Sequence, residues 1–158
     1  MTKTALRPYV LTIGASFLVA AIGSYYTFDA IPTWYAHLNQ PYWTPPNWVF
    51  GPVWTTLYVL MGLSAGLVWN SSRAQGKRLA LALFFIHLVV NAAWSIVFFY
   101  LHDVYAALLI IKSLWLLIVA MMIVFWKFDR RATYLLIPYL LWVSYASTLN
   151  LGILLLNS

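Results

Sequence analysis

Three groups of aromatic and amide side chains recur at helical spacing in this sequence. Trp54, Tyr58 and Met61 follow i, i+4, i+7 and so share one helix face. Asn91, Trp94, Ser95 and Phe98 do the same further along, and Trp142, Tyr145, Ala146, Leu149 and Asn150 form a third stripe. Indole and phenol rings make flat walls, and a few amides can fix a polar edge, so the stripes suit a flat, largely apolar ligand. They also suit plain packing. Trp and Tyr gather at membrane interfaces, and an Asn that merely bridges two helices contributes about 0.6 kcal/mol. Spacing alone leaves both readings open.

Other chemistry is thinly supplied. The acidic residues are Asp29, Asp103 and Asp129, and cysteine is absent, so carboxylate pairs, thiolate nucleophiles, disulfides and Cys-based metal sites drop out. No Gly-rich phosphate loop or nucleophile–base arrangement occurs, which argues against hydrolysis and phosphoryl transfer. His37 and His102 fall in connections and form no ligand set with Asp103. His87 lies mid-span, where it could be an axial haem ligand or a satisfied core histidine. Lys112 also lies within a span. An intramembrane cation is a candidate functional group; it could pair with a ligand propionate, snorkel, or bond to a neighbouring helix.

The elements that must position these side chains are membrane helices. Hydrophobic residues make up 64% of the 158 and charged residues 8%, with mean hydropathy +0.84. A soluble domain carries roughly 25% charged residues, so the outer surface here must meet lipid. About 20 apolar residues cross a bilayer as a helix, and five runs qualify: 9–28, 49–69, 79–101, 104–125 and 134–156. They are continuously apolar and do not alternate, which disfavours a β-barrel. The fold class expected is therefore an all-α integral membrane protein, one domain over 1–158 built as a bundle of five transmembrane helices. The net charge of +6 does not gather into a patch, so no nucleic-acid partner is expected. Lys3 and Arg7 before an apolar run imitate a signal peptide, and Ala21-Ile22-Gly23 is cleavage-like. The run outlasts a typical signal core, so it reads as a retained first helix.

Connections add orientation. Residues 70–78 and 127–131 are short polar turns, and His102-Asp103 is a tight one. The long connection, 29–48, carries Trp34, Trp43 and Trp48 with Pro32, Pro41, Pro45 and Pro46. Loops of that length are functional or disordered, and this aromatic content predicts a lid packed over one end of the bundle. With five spans, Lys3, Arg7, Arg73, Lys77, Arg78, Lys127, Arg130 and Arg131 share one side, and no Lys or Arg falls on the other. The positive-inside rule then places the N-terminus in the cytoplasm, with the lid and C-terminus outside. Counted from their helix ends at 1.5 Å per residue, Tyr58, Asn91, Ala146 and Asn150 lie within roughly one turn of each other. Gly62-x-x-x-Gly66 permits a close helix neighbour, in this chain or a second.

The order of motifs is specific. Trp43-x-Pro45-Pro46-x-x-x-Phe50-x-x-Val53-Trp54, then Leu57-Tyr58-x-x-Met61-Gly62, resembles the signature of the TspO/MBR family, the tryptophan-rich sensory proteins and mitochondrial translocator proteins. Trp34-Tyr35-x-x-Leu38-x-x-Pro41, Asn91-x-x-Trp94 and Pro138-Tyr139-x-x-Trp142-x-x-x-Ala146-x-x-Leu149-Asn150 match in order. The resemblance implies a five-helix bundle, often a homodimer, with a pocket under the first loop for protoporphyrin IX, haem or sterols as ligands and no obligatory cofactor. It implies pocket roles for Trp43, Phe50, Trp54, Tyr58, Asn91, Trp94, Trp142 and Ala146. It also implies a role for Trp54 and Trp142 in light- and oxygen-dependent porphyrin breakdown, should that occur. Tyr145 adds a phenol beside Trp142, able to narrow the pocket or donate to a ligand carboxylate. The mammalian cholesterol motif is missing: Asn150 is followed by Leu-Gly-Ile-Leu-Leu-Leu-Asn-Ser, with neither Tyr nor Arg.

Overall fold

A computed structural model describes residues 5–158; Lys3, counted in the charge pattern above, lies outside them. Those residues are all-helical, with α1 Leu6–Phe28, α2 Phe50–Asn70, α3 Lys77–Ser95, α4 Val104–Trp126 and α5 Arg130–Leu156. Five spans emerge, each long and apolar enough to cross a membrane, and the molecule is a multi-pass integral membrane protein.

The helix ends differ from the apolar runs for local reasons. α5 starts at Arg130, a turn before its apolar run, because Asp129 caps it: Asp129 Oδ1 accepts from the Arg131 N–H at 2.9 Å. α4 is capped in the same way by Asp103, which accepts from the Ala106 N–H at 2.9 Å. α3 is followed by a π-helical turn, Ile96–Tyr100, where a plain α-helix is expected from sequence. His102 then takes a left-handed φ of 57° to turn the chain into α4, with its ring stacked 4.2 Å from that of Trp34.

Around the bundle the helices touch in the order α1, α2, α5, α4, α3 and back to α1. The half away from the lid is solid. Met61, Phe84, Ile118, Met121, Phe125, Leu136 and Tyr139 are fully buried there. Hydroxyls bridge helices: Thr12 Oγ1 donates to the Gly62 carbonyl at 2.7 Å, and Ser64 Oγ to that of Ala132 at 2.7 Å. A Cβ on Gly62 would sit 2.6 Å from Ile13 Cα, and one on Gly66 would run into the Tyr9 ring. The Gly-x-x-x-Gly seam therefore receives α1 of the same chain, which settles the alternative left open by the sequence.

Residues 29–49 contain two short 3₁₀ turns, Tyr35–His37 and Asn47–Val49. Tyr35 is buried under the first, beside Phe98 and Phe99. The second part runs down the flank of α5. The Asn39 N–H donates to Asn157 Oδ1 and the Asn157 amide returns to the Asn39 carbonyl, each at 2.9 Å. Pro41 fills a notch at Gly152, the Tyr145 hydroxyl donates to the Trp43 carbonyl at 2.6 Å, and Phe50 meets Trp142 edge-on at 5.9 Å.

The glycine seam predicts opposite behaviour at two α1–α2 glycines. Gly62→Val, which pushes on Ile13 backbone, should lower the thermal unfolding midpoint in detergent by the equivalent of about 1–3 kcal/mol. Gly14→Ala, with nothing within 4 Å of its Cβ, should leave the midpoint unchanged or raised. The Asp129 cap predicts a pH dependence. Hydrogen bonding from Arg131 holds the Asp129 carboxyl below the usual carboxylate range, so its contribution is present above its ordinary pKa of about 4 and disappears as pH falls through the lowered value. The midpoint gap between wild type and Asp129→Asn should be open at neutral pH and close on acidification, as measured by thermal scans across pH.

Candidate functional site

A cavity of about 400 Å³ lies in the lid half of the bundle, between α1, α2, α3, α5 and the lid segment. The volume falls in the range of small-molecule sites. Trp54 and Tyr58 face it from α2, Trp94 and Ser95 from α3, Phe98 from the π-helical turn, and Ala146, Leu149 and Asn150 from α5. The indoles of Trp54 and Trp94 lie nearly parallel, 6.5 Å apart and 27° inclined, and Trp94 stacks on Phe98 at 5.4 Å. No lining residue carries a formal charge. Tyr35, in the lid, stays neutral too, since burial, with Tyr145 nearby, pushes its phenol up to about 12.

Below the cavity a chain of polar groups is satisfied link by link. Tyr58 O–H donates to Asn91 Oδ1 at 2.8 Å, and Asn91 Nδ2–H donates to the Tyr139 oxygen at 2.9 Å. The Tyr139 hydroxyl meets His87 Nε2 at 2.8 Å, and His87 Nδ1 meets the Phe84 carbonyl at 3.2 Å. A carbonyl only accepts, so Nδ1 holds the proton, Nε2 accepts, and the Tyr58 hydroxyl donates away from the cavity. His87 is thus a satisfied core histidine with both nitrogens engaged. It lines no cavity. Higher up, Trp94 Nε1–H donates to Asn150 Oδ1 at 3.2 Å while the Asn150 amide donates to the Val104 carbonyl at 2.9 Å.

The residues singled out in the sequence separate into three places. Phe50, Trp54, Tyr58, Trp94 and Ala146 are on the cavity wall. Asn91 stands one bond behind it, 2% exposed, holding Tyr58 to Tyr139. Trp43, Trp142 and Tyr145 are not on the wall. Trp43 lies on the lid, 41% exposed, with its ring near Gly152. Trp142 and Tyr145 border a shallow external groove with Pro52, Val53, Thr56, Leu57, Pro138 and Leu141. Phe50, which does line the cavity, meets Trp142 from the other side, so Phe50 and not that indole forms the wall there. The Tyr145 hydroxyl is taken up by the Trp43 carbonyl. Lys112 faces outward from α4, away from the cavity, which removes the propionate-pairing reading for this pocket.

Sequence reasoning missed one whole wall. Ala20, Gly23, Ser24 and Thr27 of α1 line the cavity; their i, i+3, i+4, i+7 spacing was available as a signal, but small side chains barely register in hydropathy. Phe99 was missed as well. It joins Phe98 on the wall because the π-helical turn, with Leu101 N–H reaching back to the Ile96 carbonyl at 3.0 Å, resets the helical phase.

The profile of the TspO/MBR family matches residues 12–156. The chain belongs to that family. It is 40% identical to the tryptophan-rich protein TspO of Archaeoglobus fulgidus, over 94% of this chain and 96% of that one. It is 38% identical to the tryptophan-rich sensory protein of Cereibacter sphaeroides, over 88% of each. With the human translocator protein the identity is 34%, over 90% of this chain and 88% of the relative. In this TspO/MBR chain the pair Trp54 and Trp142, linked by the resemblance to porphyrin breakdown, is divided: Trp54 stands on the cavity wall and Trp142 behind Phe50.

The polar chain predicts graded losses. Tyr139→Phe strips partners from both His87 and Asn91 and should destabilise by about 1–3 kcal/mol. Tyr58→Phe strips one partner from Asn91 and should cost less. Reversible unfolding in mixed micelles ranks the two; equal effects would break the proposed linkage.

Proposed function

We propose that this TspO/MBR protein is a membrane-embedded binding protein for a flat, largely apolar ligand of the porphyrin or haem type, serving tetrapyrrole sensing or regulation. The observation that carries the reading is the uncharged cavity walled by the parallel indoles of Trp54 and Trp94 with Phe98. Stacked rings match the face of a planar macrocycle, and the walls offer its edge only hydroxyls and amides. Ligand carboxylates have no counter-charge inside, so they belong at the mouth, beside Asn47 and Trp48. The described basic residues outside α4 lie at the opposite end of the bundle, which supports placing the lid on the external face.

Binding without through-passage is favoured by the floor. The cavity lining stops at Tyr58 on α2 and Trp94 on α3, and beneath lie the Tyr58–Asn91–Tyr139–His87 chain and a solid core. A continuous path for translocation would have to break four satisfied polar groups apart.

Titrating the purified protein with protoporphyrin IX should quench tryptophan fluorescence saturably. Trp54→Ala should weaken binding about tenfold through loss of a stacking wall, whereas Trp142→Ala should leave affinity close to wild type. Unchanged affinity in a Trp54→Ala, Trp94→Ala double variant would remove the assignment.

A further inference from the structure

We propose that the cavity is filled sideways from the bilayer, through a portal between the lid-side halves of α1 and α2, by molecules dissolved in the lipid, and not from water through the lid. The lid is fastened on two sides. Against α5 it is held by the reciprocal Asn39–Asn157 amide pair, by Pro41 in the Gly152 notch and by the Tyr145–Trp43 hydrogen bond. Against the turn after α3 it is held by Trp34, edge-on to Phe98 at 5.5 Å and stacked on His102. Lifting it would break all of these together.

The side between α1 and α2 is different. The two helices are locked at the far end by Tyr9 and Ile13 against Gly66 and Gly62 and by the Thr12–Gly62 hydrogen bond. Toward the lid the cavity itself separates them. Ser24 on α1 and Gly51 and Thr55 on α2 both line the cavity and are exposed on the outside of the bundle, as is Trp48, 74% exposed, at the lid edge. Residues that belong to a cavity wall and to the outer surface at once mark its opening. This opening faces lipid, because 39–50 lies along α5 and leaves the lid-side flank of α1 uncovered by chain. Between the helices, away from Asn47 and Trp48 at the lid edge, its rim is small or hydroxylic: Thr27 and Thr55 turn their hydroxyls back onto the Gly23 and Gly51 carbonyls, at 3.0 and 2.9 Å, and so present methyl groups to a passing apolar molecule. The inference rests on reading the cavity as a ligand site, and it adds the ligand's source and class: membrane-soluble molecules whose leading edge is uncharged.

The chain has no cysteine, so a single Ser95→Cys on the cavity wall is a clean reporter that needs no ligand. In nanodiscs, an alkyl maleimide dissolved in the lipid should label the introduced thiol readily. A charged, membrane-impermeant thiosulfonate should label it at least about tenfold more slowly, each rate being normalised to an Ala36→Cys reference on the exposed lid surface. Adding Thr55→Phe, or Ser24→Leu in a separate variant, should slow the maleimide about tenfold. Tyr145→Phe with Asn157→Ala, which unfastens the lid, should leave that rate unchanged. Comparable normalised rates for the two reagents, or acceleration by the unfastened lid without slowing by either portal variant, would overturn the lateral route. If the route holds but protoporphyrin IX shows no saturable quenching, the tetrapyrrole reading falls by itself.

Discussion

Backbone groups in a bilayer have no water to bond, and this chain places an irregular stretch, residues 39–46 leading into the 3₁₀ turn Asn47–Val49, against α5. Such backbone is tolerated where protein covers it or where it lines a cavity. Here α5 backs the stretch and the turn at its end lines the cavity. Pro41, Pro45 and Pro46 remove N–H donors from the stretch, the Thr44 N–H donates to the Pro41 carbonyl at 3.0 Å, and the Trp43 carbonyl is satisfied by Tyr145. The prolines are thus part of the solvation problem as well as the shape. By running down α5, the stretch brings the start of α2 opposite Trp142, and its last turn, with Asn47 and Trp48, supplies part of the cavity wall beside α2.

The bundle divides its labour along its length. At the basic end, glycines, hydroxyls and fully buried Met and Phe side chains bring helices into close contact. At the lid end, large rings meet in pairs and leave space between them. The polar chain from Tyr58 to His87 sits on the border, each member bonded to the next. A buried polar network linked in this way specifies one arrangement of helices, because any rotation orphans a group in a low-dielectric interior. It lets the lid half remain open while α2, α3 and α5 keep their relative phase.

Much of this was legible in residues. Continuous apolar runs give five helical spans because lipid permits only helices or closed barrels and these runs do not alternate, and the stripe of Trp54 and Tyr58 and that of Asn91, Trp94 and Phe98 do face a common interior. Legibility ends where the determinant is a relation between distant residues. The third stripe splits, with Ala146 and Asn150 facing the cavity while Trp142 and Tyr145 face a groove, because Phe50 arrives between them from another element. Periodicity on α5 alone carries no trace of that. The Tyr145 phenol likewise goes to a backbone carbonyl in the lid, an acceptor that every residue possesses and no motif announces. For α1 the difficulty is the reverse: its wall is made of side chains too small to stand out.

Charge is the last constraint, and it acts by exclusion. Among the described residues Lys112 is the one cation set well inside a span, away from the helix ends, and it faces outward from α4. Its Cα–Cβ vector tilts toward the N-terminal, lid-side end of the helix, the direction in which a lysine reaches headgroups. The cavity keeps neutral groups only, and His87 beneath it is held with both nitrogens occupied. A ligand with charged substituents therefore finds no partner for them at depth, where an unpaired charge is most costly. The orientation of the proposed ligand would follow from that cost: apolar face against the wall of Trp54, Trp94 and Phe98, charged edge toward the lid end beside Asn47 and Trp48.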